Sequence, residues 1–391
     1  MPRLPTIACF LADTNHPVLP DSPLWVQPLP ADRHGATHDD FRYGDYFCAV
    51  SAFLRQDGCR RLAEVATEAL QRPVRPQAID HMDIFLEKHG ACYHPSRVRI
   101  DCSGAPASLV VNAAVSAAGR AIIEGEYRCL RHLGRSADGG GFTPRVYVMD
   151  RIDMGGGRAL PLFLGQWFDG FNEFHLSRVP AGGRVRMTVW DPVQGPFYLD
   201  PETTRRLYRE AARILTTLYD MESTAQVRDW QHAAGDFVVR LDPDGRPALR
   251  LITVRNYASM METADTGAQA MVEGLLLFVL DTTLRMRLDR LDGVGETVWA
   301  DETALAGTLA GIFDALAAKE RVGDLPERFA AGFFRYLADY PEPELHELVD
   351  RLVDGYSKGA SDRTLARMHT PHHMAGIHRC VADGLENGEY R

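Results

Sequence analysis

The two kinds of apolar periodicity in this chain occupy separate stretches, and that separation limits its fold more than any other feature. Helical spacing runs through residues 41–90, strand-like alternation through most of 96–200, and helical spacing again through nearly everything after 262. Strands and helices grouped in this way argue for an α+β protein whose helices lie to one side of a small sheet. A chain of 391 residues is long enough for two or three domains. The texture divides it into an extended arm (1–40), a helical N-terminal section (41–90), a small β-rich lobe (91–180) and a larger, mostly helical lobe (181–391).

Within those blocks the expected elements are specific. "QAIDHMDIFLEKHG" (77–90) continues the helical spacing, with Gly90 as its stop. "SRVRID" (96–101) and "SLVVNAAVS" (108–116) read as strands, and 119–135 reads as a helix on Ile122, Tyr127, Leu130 and Leu133. The runs 144–153 and 160–168 flank "MGGGRA" as a hairpin, and 185–200 is another extended stretch. Pro201 opens a long helix, "PETTRRLYREAARILTTLYDM". Then "FVVRL" and "ALRLITV" form a hairpin around "DPDGRP", which supplies the turn chemistry. The Gly triplets at 139–141 and 155–157 mark turns, because neither leads into the Lys-Ser/Thr helix of a phosphate loop.

Charge and composition exclude some functions. A net charge of −10 argues against general nucleic-acid binding, which needs a cationic surface. The strongest apolar run, "GLLLFVL" (274–280), is too short to span a bilayer, so no membrane partner is expected. Seven Cys without regular spacing or a C-x-x-C pair read as reduced thiols in a cytoplasm-like compartment. Lys occurs only at 88, 319 and 358, so no chemistry between 89 and 318 can use one.

In its order of elements the chain resembles the protein-kinase-like fold, in particular the aminoglycoside and choline phosphotransferase branch, over residues 90–290. "SLVVNAAVS" is similar to the strand that carries the kinase Lys. "RAIIEGEYRCLRHL" is similar to the helix whose Glu pairs with it, with Glu126 or Glu124 in that role. "PLFLGQWFDGFNEFHLS" resembles the strand and hinge, and "HAAGDF" the catalytic loop, which places Asp236 at the base position with His232 bracing it. The resemblance implies a bilobal α+β molecule, a small antiparallel-sheet lobe on a larger helical one, with ATP or another nucleotide as ligand. Such enzymes hold phosphates with a Lys and Mg²⁺ with an Asp and an Asn. Here those positions read Asn112, Thr253 and Leu241. Neutralising the transferred phosphoryl group is most of what such an enzyme contributes, so Mg²⁺ is not expected in the usual geometry.

Each candidate residue also has a plain structural reading. His232 and Asp236 either serve a polar ligand or turn the chain into a strand. Arg255, next to Asn256, either clamps an anion or pairs with a surface carboxylate. Trp167 and Glu173 lie in "WFDGFNEFHLS", which either stacks a flat ring or fills core; Glu173 and His175 share a face if it is extended. The His-rich "RMHTPHHMAGIHRC" (367–380) would start a helix at Thr370-Pro371. No ligand pair at i, i+3 or i+4 then follows, so no metal site is expected there. Three functions fit these features: a kinase-fold pseudokinase that binds a nucleotide or small polar molecule, a diverged small-molecule phosphotransferase with Asp236 as base, and a protein-interaction protein.

Overall fold

The computed structural model describes residues 4–12, 14–31, 37–90, 92–135, 141–180, 183–230, 235–261, 267–356 and 360–391. The chain divides into two compact units, one formed by 1–135 and 144–169, the other by 136–143 and 170–391.

The first unit is built on a sheet of six strands. These are β1 (Thr6–Leu11), β4 (Ile79–Leu86), β5 (His94–Cys102), β6 (Ala105–Ala113), β7 (Val146–Asp153) and β8 (Ala159–Gln166), in the order β1-β4-β5-β6-β8-β7. A short pair, β2 (Pro28–Pro30) and β3 (Thr37–Arg42), precedes helices α1 (Tyr43–Leu54) and α2 (Gln56–Leu70). Alternation does the sorting: Val98, Ile100 and Cys102 of β5 and Leu109, Val111 and Ala113 of β6 are buried in one core with Tyr46, Phe47, Val50 and Leu62 of the helices. The opposite face takes α3 (Ala117–Leu133), where Tyr127 meets Phe163 of β8.

Three expectations change here. Residues 77–90 are not a helix; Ile79–Leu86 is an interior strand, with Met82, Ile84 and Leu86 buried at period two. Its apolar set fits either period, and neighbours on both sides decide for the strand. The arm is not simply extended, because Thr6–Leu11 completes the sheet, and it does so in parallel with β4. The sheet is therefore mixed, and the helical N-terminal section and the β-rich lobe are one unit ending at 169 rather than 180.

The second unit begins with the sheet β9 (Glu173–Arg178), β10 (Val185–Asp191) and β11 (Gly195–Tyr198), ordered β11-β10-β9. The stretch expected to be one strand over 185–200 folds back on itself, because Asp191 Oδ1 accepts from the amides of Val193 and Gln194 and closes a turn. Helix α4 (Pro201–Thr217) starts as expected, with Asp200 accepting from the Thr203 amide at 2.9 Å. Strand β12 (Ala225–Arg228) pairs with β15 (Asn256–Ser259), and between them lies the hairpin β13 (Phe237–Leu241) and β14 (Pro247–Leu251). Helices α5 (Ala268–Arg287), α6 (Glu302–Val322), α7 (Phe329–Asp339), α8 (Glu342–Asp354) and α9 (Ser361–Glu386) follow, with a two-stranded pair, β16 (Leu288–Arg290) and β17 (Thr297–Trp299), before α6.

Helices α4 and α6 meet almost backbone to backbone. A Cβ on Gly311 would sit 2.0 Å from the Arg209 carbonyl oxygen, so only glycine permits this approach. Helix α9 overturns the expected start at Thr370-Pro371, since Pro371 lies inside it. Proline forfeits one helical hydrogen bond. Thr370 Oγ1 donates to the Ala366 carbonyl within the same helix, and buried His373 is anchored to α5, its Nε2 3.2 Å from Thr283 Oγ1.

Candidate functional site

The residues singled out near the hairpin are brought together by the turns at its base. Strand β12 ends at Arg228, and Asp229 then takes a left-handed backbone, φ +58°, which costs a non-glycine residue on the order of 1 kcal/mol. Asp236 is the last residue before β13, and its carbonyl accepts from the Ile252 amide at 2.7 Å, so both ends of the hairpin are tied there. Its side chain is 1% exposed. Arg255, just ahead of β15, donates to Asp236 Oδ1 and Oδ2 at 2.7 Å each, a two-pronged pair. The same guanidinium donates to the Asp229 carbonyl at 3.2 Å, and Asn256 Nδ2 to Asp229 Oδ2 at 3.4 Å. His232 lies outside the described residues. Because β13 starts at once, the five residues after Asp236 are strand, and Leu241 closes that strand.

Asp229 also lines a cavity of about 200 Å³ in the second unit, together with Arg285, Asp289, Arg290, Thr297 and Tyr356. Its walls are held from behind. Arg285 Nε donates to Asp281 Oδ2 at 2.8 Å, and the Tyr356 hydroxyl donates to Asp281 Oδ1 at 3.1 Å. The Arg285 guanidinium lies 4.8 Å over the Tyr356 ring. Asp289 is 1% exposed and accepts from the amides of Leu176 and Arg290, both at 2.7 Å.

Glu173 and His175 do share a face. His175 Nε2 is 3.7 Å from Glu173 Oε2, and Nδ1 is 3.9 Å from Asp289 Oδ1. Burial works to lower the pKa of this imidazole, but Asp289 and Glu173 outweigh it and hold the group above its ordinary value. The aromatics of the same stretch are divided. Trp167 belongs to the first unit, 5.8 Å from the Arg97 guanidinium; Phe174 is core in the second, and Phe171 carries Arg240 and Arg250 at 4.8 and 5.1 Å. Asn112 and Glu126 are both in the first unit. Asn112 pairs across the sheet with Phe163, on the face that α3 covers, and Glu126 is 1% exposed on that helix.

The cavity residues Asp229, Arg285, Asp289, Arg290 and Tyr356 escaped the sequence reading. Arg285, Asp289 and Arg290 follow an apolar helix and look like its end. Only the Arg-Met-Arg-Leu-Asp-Arg run from 285 to 290, with four charged side chains at the end of a buried helix, could have drawn attention.

No family model and no curated protein matches the chain. Among solved structures, one described as WaaP in complex with acyl carrier protein is similar at 12% identity, covering 65% of this chain and 85% of that one, with a TM-score of 0.27. That likeness is too distant to assign a function. Among the described residues no helix is long and apolar enough to cross a membrane.

Proposed function

We propose that this chain is a kinase-fold protein that binds a small polar molecule without conventional ATP–Mg²⁺ phosphotransfer. The order of elements supports the fold: strand β6, helix α3, hairpin β7–β8, helix α4, hairpin β13–β14, then helix α5. The observation that carries the functional reading is the Asp236–Arg255 pair. A general base must reach the proton it removes, whereas this carboxylate is buried and engaged at both oxygens. With Leu241 and Thr253 at the positions that would hold a metal, the phosphate-handling set is incomplete. In this reading Asp236 and Arg255 are a structural clamp that presents Asp229 to the cavity.

Size and charge narrow the ligand. Pockets for drug-sized molecules span about 300–1,000 Å³. A cavity of about 200 Å³ suits something smaller than a whole nucleotide. The lining combines Asp229, Asp289 and Asp362 with Arg285 and Arg290, which fits a compact molecule that both donates and accepts hydrogen bonds. A second reading has one observation in its favour. The strained backbone of Asp229 beside a cavity is the kind of feature found at reactive sites, so a diverged phosphotransferase would use Asp229, not Asp236, as its base.

The test is a thermal-shift panel of amino alcohols, amino acids and small sugars beside ATP, ADP, GTP and AMP, each with Mg²⁺, Mn²⁺ or chelator. Wild type, Asp229→Asn and Asp236→Asn are compared. A ligand of the folded state raises the melting temperature by mass action. The expected result is a metal-independent shift with a compact polar ligand, weakened in Asp229→Asn, and no ATP turnover. Metal-dependent ATP turnover lost in Asp236→Asn overturns the proposal, and turnover lost only in Asp229→Asn favours the second reading.

A further inference from the structure

Strand β7 ends the six-stranded sheet, and β8 is its one strand partner among the described residues. Residues 145–148, at the start of β7, are the floor of a groove of about 600 Å³. Helix α2 forms one wall and the end of α3 the other, on opposite faces of the sheet, and all of the lining belongs to the first unit.

Part of the β7 edge is closed. The register shifts between Val146 and Val148, which leaves Tyr147 as a bulge, and the Tyr147 carbonyl accepts from the Tyr127 hydroxyl at 3.2 Å. The Arg151 amide donates to Asp150 Oδ1 at 2.8 Å. Between these two points the edge is open. The Pro161 carbonyl accepts from the Ala114 amide, away from β7, so Arg151, opposite Pro161, turns its backbone polar groups outward. Met149, two residues back and next after the groove floor, does the same. Its outward amide and carbonyl have no partner among the described residues. Bulges and charged side chains keep an edge from pairing with any passing strand. What remains open accepts a strand whose side chains suit the two walls.

Those walls differ in charge. Both lining carboxylates, Glu64 and Glu68, are on α2. Glu68 meets Arg145 at 3.0 Å, and Arg61 meets Asp57 and Asp150 at 3.1 and 2.9 Å. The α3 wall carries Arg131 and Arg135 and no carboxylate. Both of these arginines are exposed, and neither guanidinium has a partner among the described residues. The negative end of α3 attracts cations, but it amounts to only about half a charge. Two unpaired cations thus stand beside an open strand edge in a chain whose net charge is −10.

We propose that this groove takes an extended acidic peptide as a seventh strand beside β7. Side chains of an added strand alternate between the two faces of the sheet, while its main chain supplies hydrogen bonds to the edge. Carboxylates at every second position meet Arg131 and Arg135 on the α3 side. Apolar residues between them face Val65 and Tyr147 on the α2 side. The main chain completes the amide and carbonyl of Met149.

The experiment is fluorescence anisotropy of the full chain with a labelled, end-capped octapeptide of alternating Glu and Val. Saturable binding is expected, and it should weaken as salt is raised. Reversing two exposed charges in Arg131→Glu/Arg135→Glu should weaken it about tenfold or more. Arg321→Glu/Arg335→Glu, an equal charge change at exposed positions of the second unit, should bind as wild type. Met149→Pro removes an outward amide and no ladder bond, so it should weaken binding while the melting temperature stays near wild type. Bound peptide should also slow hydrogen exchange at the Met149 amide of the wild-type chain. If Met149→Pro fails to fold, a fully N-methylated octapeptide carries the main-chain test: it keeps every charge, has no amide to donate, and should not bind. No saturable binding of the Glu-Val octapeptide, equal binding of its N-methylated form, or equal loss in the second-unit variant overturns the proposal. So does inorganic triphosphate binding to the same arginines with no effect of the peptide on Met149 exchange, which would make the groove an anion site only.

Discussion

Removing Arg255 tests whether the centre of the second unit is a clamp. In Arg255→Leu the Asp236 carboxylate, 1% exposed beside Arg255, loses both 2.7 Å bonds from the guanidinium. Breaking a buried pair from one side typically costs about 3–5 kcal/mol, because the remaining charge keeps its desolvation cost and loses its counter-charge. Arg255 retains 25% side-chain exposure, so water can partly reach the gap and the lower end of that range is expected. For a unit of this size each kcal/mol shifts the melting midpoint by about 2–4 °C. The midpoint should thus fall by roughly 10 °C. Asp236→Leu should cost a similar amount, and Asp236→Leu/Arg255→Leu much less than the sum, since replacing both charges leaves no buried ion without its counter-charge. The assay is urea and thermal unfolding of the four proteins by circular dichroism. An Arg255→Leu protein within about 1 kcal/mol of wild type would refute the reasoning, because that is what a screened surface bridge contributes.

Other consequences can be checked with the same measurements. Gly311→Val should destabilise the α4–α6 contact by several kcal/mol, since even a Cβ would lie 2.0 Å from the Arg209 carbonyl oxygen; a midpoint shift below a few degrees would contradict the close approach. Gly293→Ala combines a φ of +73° with a Cβ 2.7 Å from His175 Nε2, so it should lower stability by about 1–3 kcal/mol and disturb the cavity wall behind it. His373 is 0% exposed, and burial, with help from Arg287, pushes it down to about 3. The unfolded chain therefore binds a proton that the folded chain refuses between pH 3 and 6.5. Stability from this residue is complete above that window and is lost as pH falls through it, at about 1.4 kcal/mol per pH unit. His373→Gln should flatten the slope by one proton, and an unchanged slope would count against the buried neutral state.

Much of the architecture is legible where a local signal and its tertiary setting agree. Asp200-Pro201 marks the start of α4 and "DPDG" closes the β13–β14 hairpin, because capping and turn chemistry act over a few residues. Strand β4 is not legible, since Ile79, Met82 and Leu86 suit either period and the deciding partners lie elsewhere in the chain. Pro371 reads as a helix start and sits inside one, because packing of Thr370 and His373 outweighs one lost backbone bond. At the site, Asp236 and Arg255 are both visible as candidates, yet each is read alone. Their pairing depends on turns that bring residues 19 apart in sequence into contact.

Strand β1 has a consequence for how the sheet is assembled. It is paired to β4 through residues 75 apart, Thr6 with His81, whereas β4, β5 and β6 follow one another through short connections. Local hairpins close first, and distant pairings bear a larger entropic penalty. The outer edge of β4 therefore stands open, its amides and carbonyls unmatched, until the N-terminal strand arrives. An open edge of this kind templates strands from other molecules. In this protein six residues near the N-terminus act as a cover strip, and a chain lacking Thr6–Leu11 should self-associate through β4 even when the rest of the unit has folded.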